Sequence, residues 1–108
     1  MATMTSKDAR VLAALQRAGS RLELPHPLRH YLYVPDRPSA ESAVASLRGE
    51  GFDAKVERAA LGDQWLVLAT HKMIPSLDAI TAIRTRFEKL ASGCNGEYDG
   101  WEAGITRT

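Results

Sequence analysis

Phe52-Asp53-Ala54-Lys55-Val56-Glu57, followed by Gly62-Asp63 and then Gln64–His71, is the stretch on which the fold turns. Phe52, Ala54 and Val56 alternate with three charged residues. A period of two with one apolar and one charged face is that of a half-buried strand. Gln64–His71 is a second run of strand formers, and the glycine-aspartate turn between them is too short for a crossover. The two strands therefore form an antiparallel hairpin.

Helical periodicity flanks the hairpin on both sides. Upstream, Ala40, Ala43, Val44 and Leu47 mark one stripe of a helix, with Ser39 as N-cap and Gly49 and Gly51 at its end. Downstream, Ser76 behind Pro75 caps the longest helix, Asp78 suits its dipole, and Leu77, Ile80, Ile83, Phe87 and Leu90 form its buried stripe. Gly93 and Gly96 close that helix. Beyond each helix lies one more strand. Arg29–Val34 is rich in aromatic and branched residues and stops at Pro35, with His30, Leu32 and Val34 on one face and Tyr31 and Tyr33 on the other. The second follows the last helix, where Glu97 to about Ile105 is long enough for one last strand or an extended arm.

The resulting order is β-α-β-β-α-β. With right-handed crossovers it predicts an α+β, ferredoxin-like sandwich: an antiparallel four-stranded sheet with two helices on one face. An additional N-terminal helix at about 6–18 follows a capping box, Thr5-Ser6-Lys7-Asp8; Val11, Leu12 and Leu15 recur at helical spacing before Gly19. Pro25 and Pro27 make 20–27 an extended connector. The expectation is one domain over 1–108, with the ferredoxin-like core at about 28–105.

Composition narrows the function classes. Hydrophobic residues at 44% and charged residues at 25% are those of a globular domain. Fourteen basic against thirteen acidic side chains give no overall field toward nucleic acid or membrane. Cys94 is the sole cysteine, which excludes an intrachain disulfide and a cysteine-based zinc site. The longest apolar runs, Val11–Leu15 and Trp65–Ala69, are five residues each. That is too short for a span or a signal peptide, so a cytoplasmic protein is expected.

No catalytic, metal-binding or cofactor-binding set is recognisable. His26, His30 and His71 lack ligand-spaced neighbours and read as surface or interface residues. Nothing near Cys94 in sequence would lower its pKa. The densest chemistry is Glu97-Tyr98-Asp99-Gly100-Trp101-Glu102: three carboxylates and two large aromatics around one glycine. It admits structural use, with the aromatics packed and the acids solvated, or recognition of a basic partner, and with less support catalysis or cation binding. Strict alternation would send Tyr98, Gly100 and Glu102 one way and Glu97, Asp99 and Trp101 the other, burying one aromatic and presenting the other. Tyr31 and Tyr33 raise an alternative, single-stranded RNA stacked on an open sheet face. Against it, the charged face Asp53/Lys55/Glu57 is two-thirds acidic. Arg84, Arg86 and Lys89 give local positive charge that a solvated helix face explains equally well. A dimerising small-ligand domain is a third reading, and the sequence leaves open the oligomeric state and where the first helix packs.

The residues also carry a resemblance. Arg29-His30-Tyr31-Leu32-Tyr33-Val34-Pro35, Ala40…Leu47-Arg48…Gly51-Phe52, Trp65-Leu66-Val67 and the closing Gly96-Glu97-Tyr98-Asp99-Gly100-Trp101-Glu102 resemble the RraB family, regulators of ribonuclease activity also called ribonuclease E inhibitors. The likeness runs from about residue 9 to 104, and the closing motif is its most specific part. It implies the same ferredoxin-like sandwich. It further implies a non-enzymatic role: binding the nuclease outside its catalytic centre and lowering RNA cleavage. The contact residues expected on that basis are Glu97, Tyr98, Asp99, Trp101 and Glu102, with Tyr31 and Tyr33 in second rank. The sequence differs from members with an acidic tail, since Arg107 is its last charged side chain. Binding that relies on such a tail is not expected here.

Overall fold

The structure, a computed structural model, describes residues 7–60 and 62–107. Seven elements follow one another: α1 (Lys7–Arg17), β1 (His26–Val34), α2 (Arg37–Gly49), β2 (Asp53–Arg58), β3 (Trp65–Met73), α3 (Leu77–Gly93) and β4 (Glu97–Ala103). The strands form one antiparallel sheet in the order β2-β3-β1-β4. This is the ferredoxin-like arrangement: α2 carries the chain from β1 to the far edge, and α3 carries it back to the other edge.

The hairpin forms as its alternation predicts, with Ala54 opposite Ala69 and Val56 opposite Val67. A first core cluster joins Leu32, Val34, Val67 and Ala69 on the sheet to Ala43 and Leu47 of α2 and Phe87 of α3. A second cluster contains Leu12 and Leu15 of α1, Leu28, Ile80 and Trp101. Helix α1 therefore lies beside α3 on the helical side of the sheet. The other face, bearing Tyr31 and Tyr33, is left free of described helices.

Several boundaries differ from expectation. Asp36, not Ser39, caps α2: its Oδ1 accepts from the Ser39 amide at 2.8 Å, and Pro38 sits in the first turn, where a missing N–H is harmless. Strand β1 starts at His26, within the expected connector. Pro27 is tolerated there because pairing with β4 begins only at Leu28. Ser76 caps α3, accepting from Ala79 N at 3.1 Å. Leu77, however, is 45% exposed and does not belong to the buried stripe, because it sits in the first turn, beyond the reach of the core. Thr5 and Ser6 of the expected capping box lie outside the described residues.

Candidate functional site

The acidic-aromatic segment is β4, an edge strand paired only to β1. Tyr33 stands opposite Glu97, Leu32 opposite Tyr98, His30 opposite Trp101 and Arg29 opposite Glu102, with a register shift between His30 and Leu32. Two steps along β1 thus match three along β4. The extra residue is a β-bulge, and Gly100 supplies the positive φ of +100° that such a bulge uses. The bulge resets the alternation, so Tyr98 and Trp101 both turn toward the helices. The expectation that one aromatic is buried and the other presented is corrected: Trp101 is 8% exposed and Tyr98 is half-buried.

Each ring is held by its polar atom. Trp101 Nε1 donates to Asp8 Oδ1 at 2.9 Å. Arg84 donates to the same carboxylate twice, Nε to Oδ2 and Nη2 to Oδ1, both at 2.8 Å. The Arg84 hydrogen bond, against the opposing effect of burial and with help from Trp101, holds the Asp8 carboxyl below its usual range. Arg84 also lies 5.2 Å above the Tyr98 ring.

The Tyr98 hydroxyl is 2.8 Å from Nδ1 of His30, whose Nε2 is 3.0 Å from Nε2 of His71. His30 and Tyr98 both stack on Phe87, at centroid distances of 4.5 and 5.1 Å. Burial, then the neighbouring His71 and Arg84, pushes the His30 pKa down to about 3, so the ring is neutral. Burial lowers His71 and raises Tyr98. In this neutral pair one imidazole donates and the other accepts.

The expectation of surface or interface histidines fails for His26 and His30, both fully buried in the core. His26 sits 2.5 Å from Ser20 Oγ and 2.7 Å from the Leu24 carbonyl. The signal was present in the strand period, since His26, Leu28, His30, Leu32 and Val34 fall on one face. Asp8 was expected as a cap and Arg84 as part of a solvated face. Asp8 in fact shares the helical stripe of Leu12 and Leu15, which the spacing i, i+4, i+7 could have revealed. Arg86 likewise is paired, with Glu50.

The carboxylates take the outer positions. Glu97 and Glu102 stand opposite Tyr33 and Arg29 on the helix-free face. Tyr31 donates to Glu102 Oε1 at 2.5 Å, and Arg29 lies 3.6 Å from the same oxygen. Glu102, as acceptor, holds the Tyr31 phenol above its ordinary pKa. Asp99 is exposed in the bulge and, with Tyr33, Ala59, Ala60 and Gln64, lines a depression of about 310 Å³. Among the described residues, Glu97 and Asp99 have no ion-pair or hydrogen-bond partner for their side chains. The register thus sets Glu97 and Glu102 on the face of Tyr31 and Tyr33, while Glu97 and Asp99 also border a cavity of about 420 Å³ beside Lys7, Arg10 and Arg84, which Tyr98 and Trp101 line as they tie β4 to the helices.

Among the described residues no group of three or more His, Cys, Asp or Glu side chains is placed to hold a metal ion. No described helix is long and apolar enough to cross a membrane. What this arrangement offers chemically is an anionic, hydrogen-bonding edge on a rigid support.

A comparison with curated proteins finds no match. The family model for regulator of ribonuclease activity B, however, matches residues 5–103. That span takes in all seven elements and the whole bulged strand, and the chain belongs to the RraB family, regulators of ribonuclease activity.

Proposed function

We infer that this protein is a cytoplasmic, non-enzymatic regulator that binds ribonuclease E or a similar nuclease assembly and lowers RNA cleavage. One observation carries the reading: the β4 bulge turns both aromatics inward and leaves Glu97, Asp99 and Glu102 outside, beside Tyr31 and Tyr33. Carboxylates in that setting attract and orient a basic segment, while the tyrosines offer contact area at small entropic cost. A nuclease binds RNA through basic surface, so occupying such a segment would exclude RNA or scaffold partners from it. Tyr98 and Trp101 serve as positioning residues in this picture.

The test is titration of the purified chain into ribonuclease E from the same organism, with RNA cleavage followed in parallel. Saturable binding with loss of cleavage is expected, and both should weaken in a Glu97→Lys/Asp99→Lys/Glu102→Lys variant. Absence of binding at tens of micromolar removes the nuclease claim.

A second reading, single-stranded RNA on the sheet face, is favoured by one observation, the freedom of Tyr31 and Tyr33 from described helices. The acids on both edge strands oppose it. RNA binding that falls steeply with added salt would support it, and no RNA binding at low salt would end it.

A further inference from the structure

The helix-free face has a pattern of its own, legible row by row from the strand pairing. One row runs Glu57–Leu66–Tyr33–Glu97, and the next toward the sheet's other end has Lys55–Leu68–Tyr31 before the bulge. A third runs Asp53–Thr70–Arg29–Glu102. The two central strands therefore carry a half-buried apolar strip of Leu66, Leu68, Tyr31 and Tyr33. Each edge strand carries two carboxylates on this face, and Asp99 adds a further acid at the β4 edge.

We propose that this face is the seat of a basic amphipathic helix from the protein's partner. Its apolar stripe would lie along β1 and β3, and its lysine or arginine flanks would reach the acids of β2 and β4. The inference rests on the protein-binding reading given above and specifies what is bound. Dimensions agree with it. Two strands about 4.8 Å apart present a strip roughly 10 Å wide, the diameter of a helix with its side chains. From the Tyr33 row to the Arg29 row is about 14 Å, the length of roughly nine helical residues.

Charge selects this occupant over two others. In an aligned face-to-face pair of copies, the two-fold lays β2 over β4 or each edge strand over itself. Both arrangements set carboxylate rims against carboxylate rims. RNA would bring phosphates to the same rims. Lys55, Arg29 and, one row beyond Thr70, Lys72 lie on this face, Lys55 3.1 Å from Glu57 and Arg29 3.6 Å from Glu102. Such exposed pairs are weak and exchange readily for an incoming cation.

The experiment uses the full chain, isotope-labelled for NMR, and three synthetic probes. One is a helical peptide with a leucine stripe flanked by lysines, one has the same composition scrambled, and one carries glutamates in place of the lysines. The lysine-flanked helix should shift the amides of Tyr31, Tyr33, Leu66 and Leu68, and the other two should not. A Leu68→Lys variant should bind it roughly ten-fold more weakly or worse. Should that variant misfold, Leu66→Thr serves, since threonine keeps strand propensity. Shifts confined to the helical side, equal binding of the scrambled peptide, or no shift at millimolar peptide overturn the proposal. So does a dimer in sedimentation that Leu68→Lys abolishes, or shifts of the same four residues by an RNA oligomer but not by the peptide. Failure of the nuclease reading is distinguishable: the peptide would still dock on this face while ribonuclease E does not bind. Conversely, nuclease binding that is indifferent to Leu68→Lys sinks this inference alone.

Discussion

Trp101 and Asp8 are joined by an indole-to-carboxylate hydrogen bond of 2.9 Å that ties the last strand to the first helix. The same carboxylate, 4% exposed, also receives the two Arg84 hydrogen bonds. Asp8→Ala would strand a guanidinium and an indole N–H together, with an expected loss of about 2–4 kcal/mol. Asp8→Asn, which keeps an acceptor, should lose about half as much. Urea unfolding of the two variants checks this, and a loss under ~0.5 kcal/mol for Asp8→Ala would contradict the role of the carboxylate.

Acid should weaken the fold well above the carboxylate range. The folded pKa of His30 is depressed from 6.5 to about 3, so below pH 6.5 the unfolded chain takes up a proton that the folded chain refuses. Stability from this group is fully present above 6.5 and falls by about 1.4 kcal/mol per pH unit as pH drops toward 3. His71 is depressed in the same direction and adds to the slope. Asp8, lowered below 3.8, contributes its own loss only at still lower pH. Denaturant midpoints should hold from pH 7.5 to about 6.5 and fall from there to pH 5. A flat profile there would show that His30 is not buried neutral.

Two glycines hold the bulged strand in place, for different reasons. A Cβ on Gly96 would fall on the Tyr33 carbonyl oxygen and 2.9 Å from Val34 Cγ1, so Gly96→Ala must displace the start of β4, at about 2–4 kcal/mol. Gly100→Ala meets no neighbour but forces a side chain to φ +100°, for about 1–2 kcal/mol. Gly104→Ala, with open space and no positive φ, should stay within ~0.5 kcal/mol and serves as control. Thermal melts rank the three, and any other order would contradict this account.

Binding and stability should separate at the outer carboxylates. Glu97→Lys and Asp99→Lys remove no partner and should change stability by no more than ~0.5 kcal/mol. Under the proposed function both weaken nuclease inhibition. Glu102→Gln should be milder for binding and keep an acceptor for Tyr31. Unfolding curves and a cleavage assay on the same preparations test the separation, and loss of inhibition only where the fold is also lost would contradict it.

The fold was legible because its apolar residues repeat with two clean periods. The alternation of 52–57 against 65–69 and the stripe of Ala40, Ala43, Val44 and Leu47 leave few topologies. The site was less legible. Where the apolar set is interrupted by polar residues that pair across the chain, periodicity has no means of pairing them: Asp8 with Arg84, and His30 with Tyr98. The β4 bulge defeats alternation outright, since one added residue at Gly100 inverts the assignment of everything after it. The carboxylates could be singled out by composition, but which way they face follows only from the register.

The arrangement of β4 on the outer flank of β1 has a consequence for synthesis. The first strand to emerge is central, and its second flank is closed only by the last strand made. Thirty residues separate the end of β3 at Met73 from the end of β4 at Ala103, an interval of roughly 1.5–6 s at ordinary translation rates. Through that interval the nascent chain carries an unpaired edge on β1, and Asp8 waits without its indole. A chain truncated before Trp101 would keep that edge permanently, as a substrate for proteases and a template for misassembly.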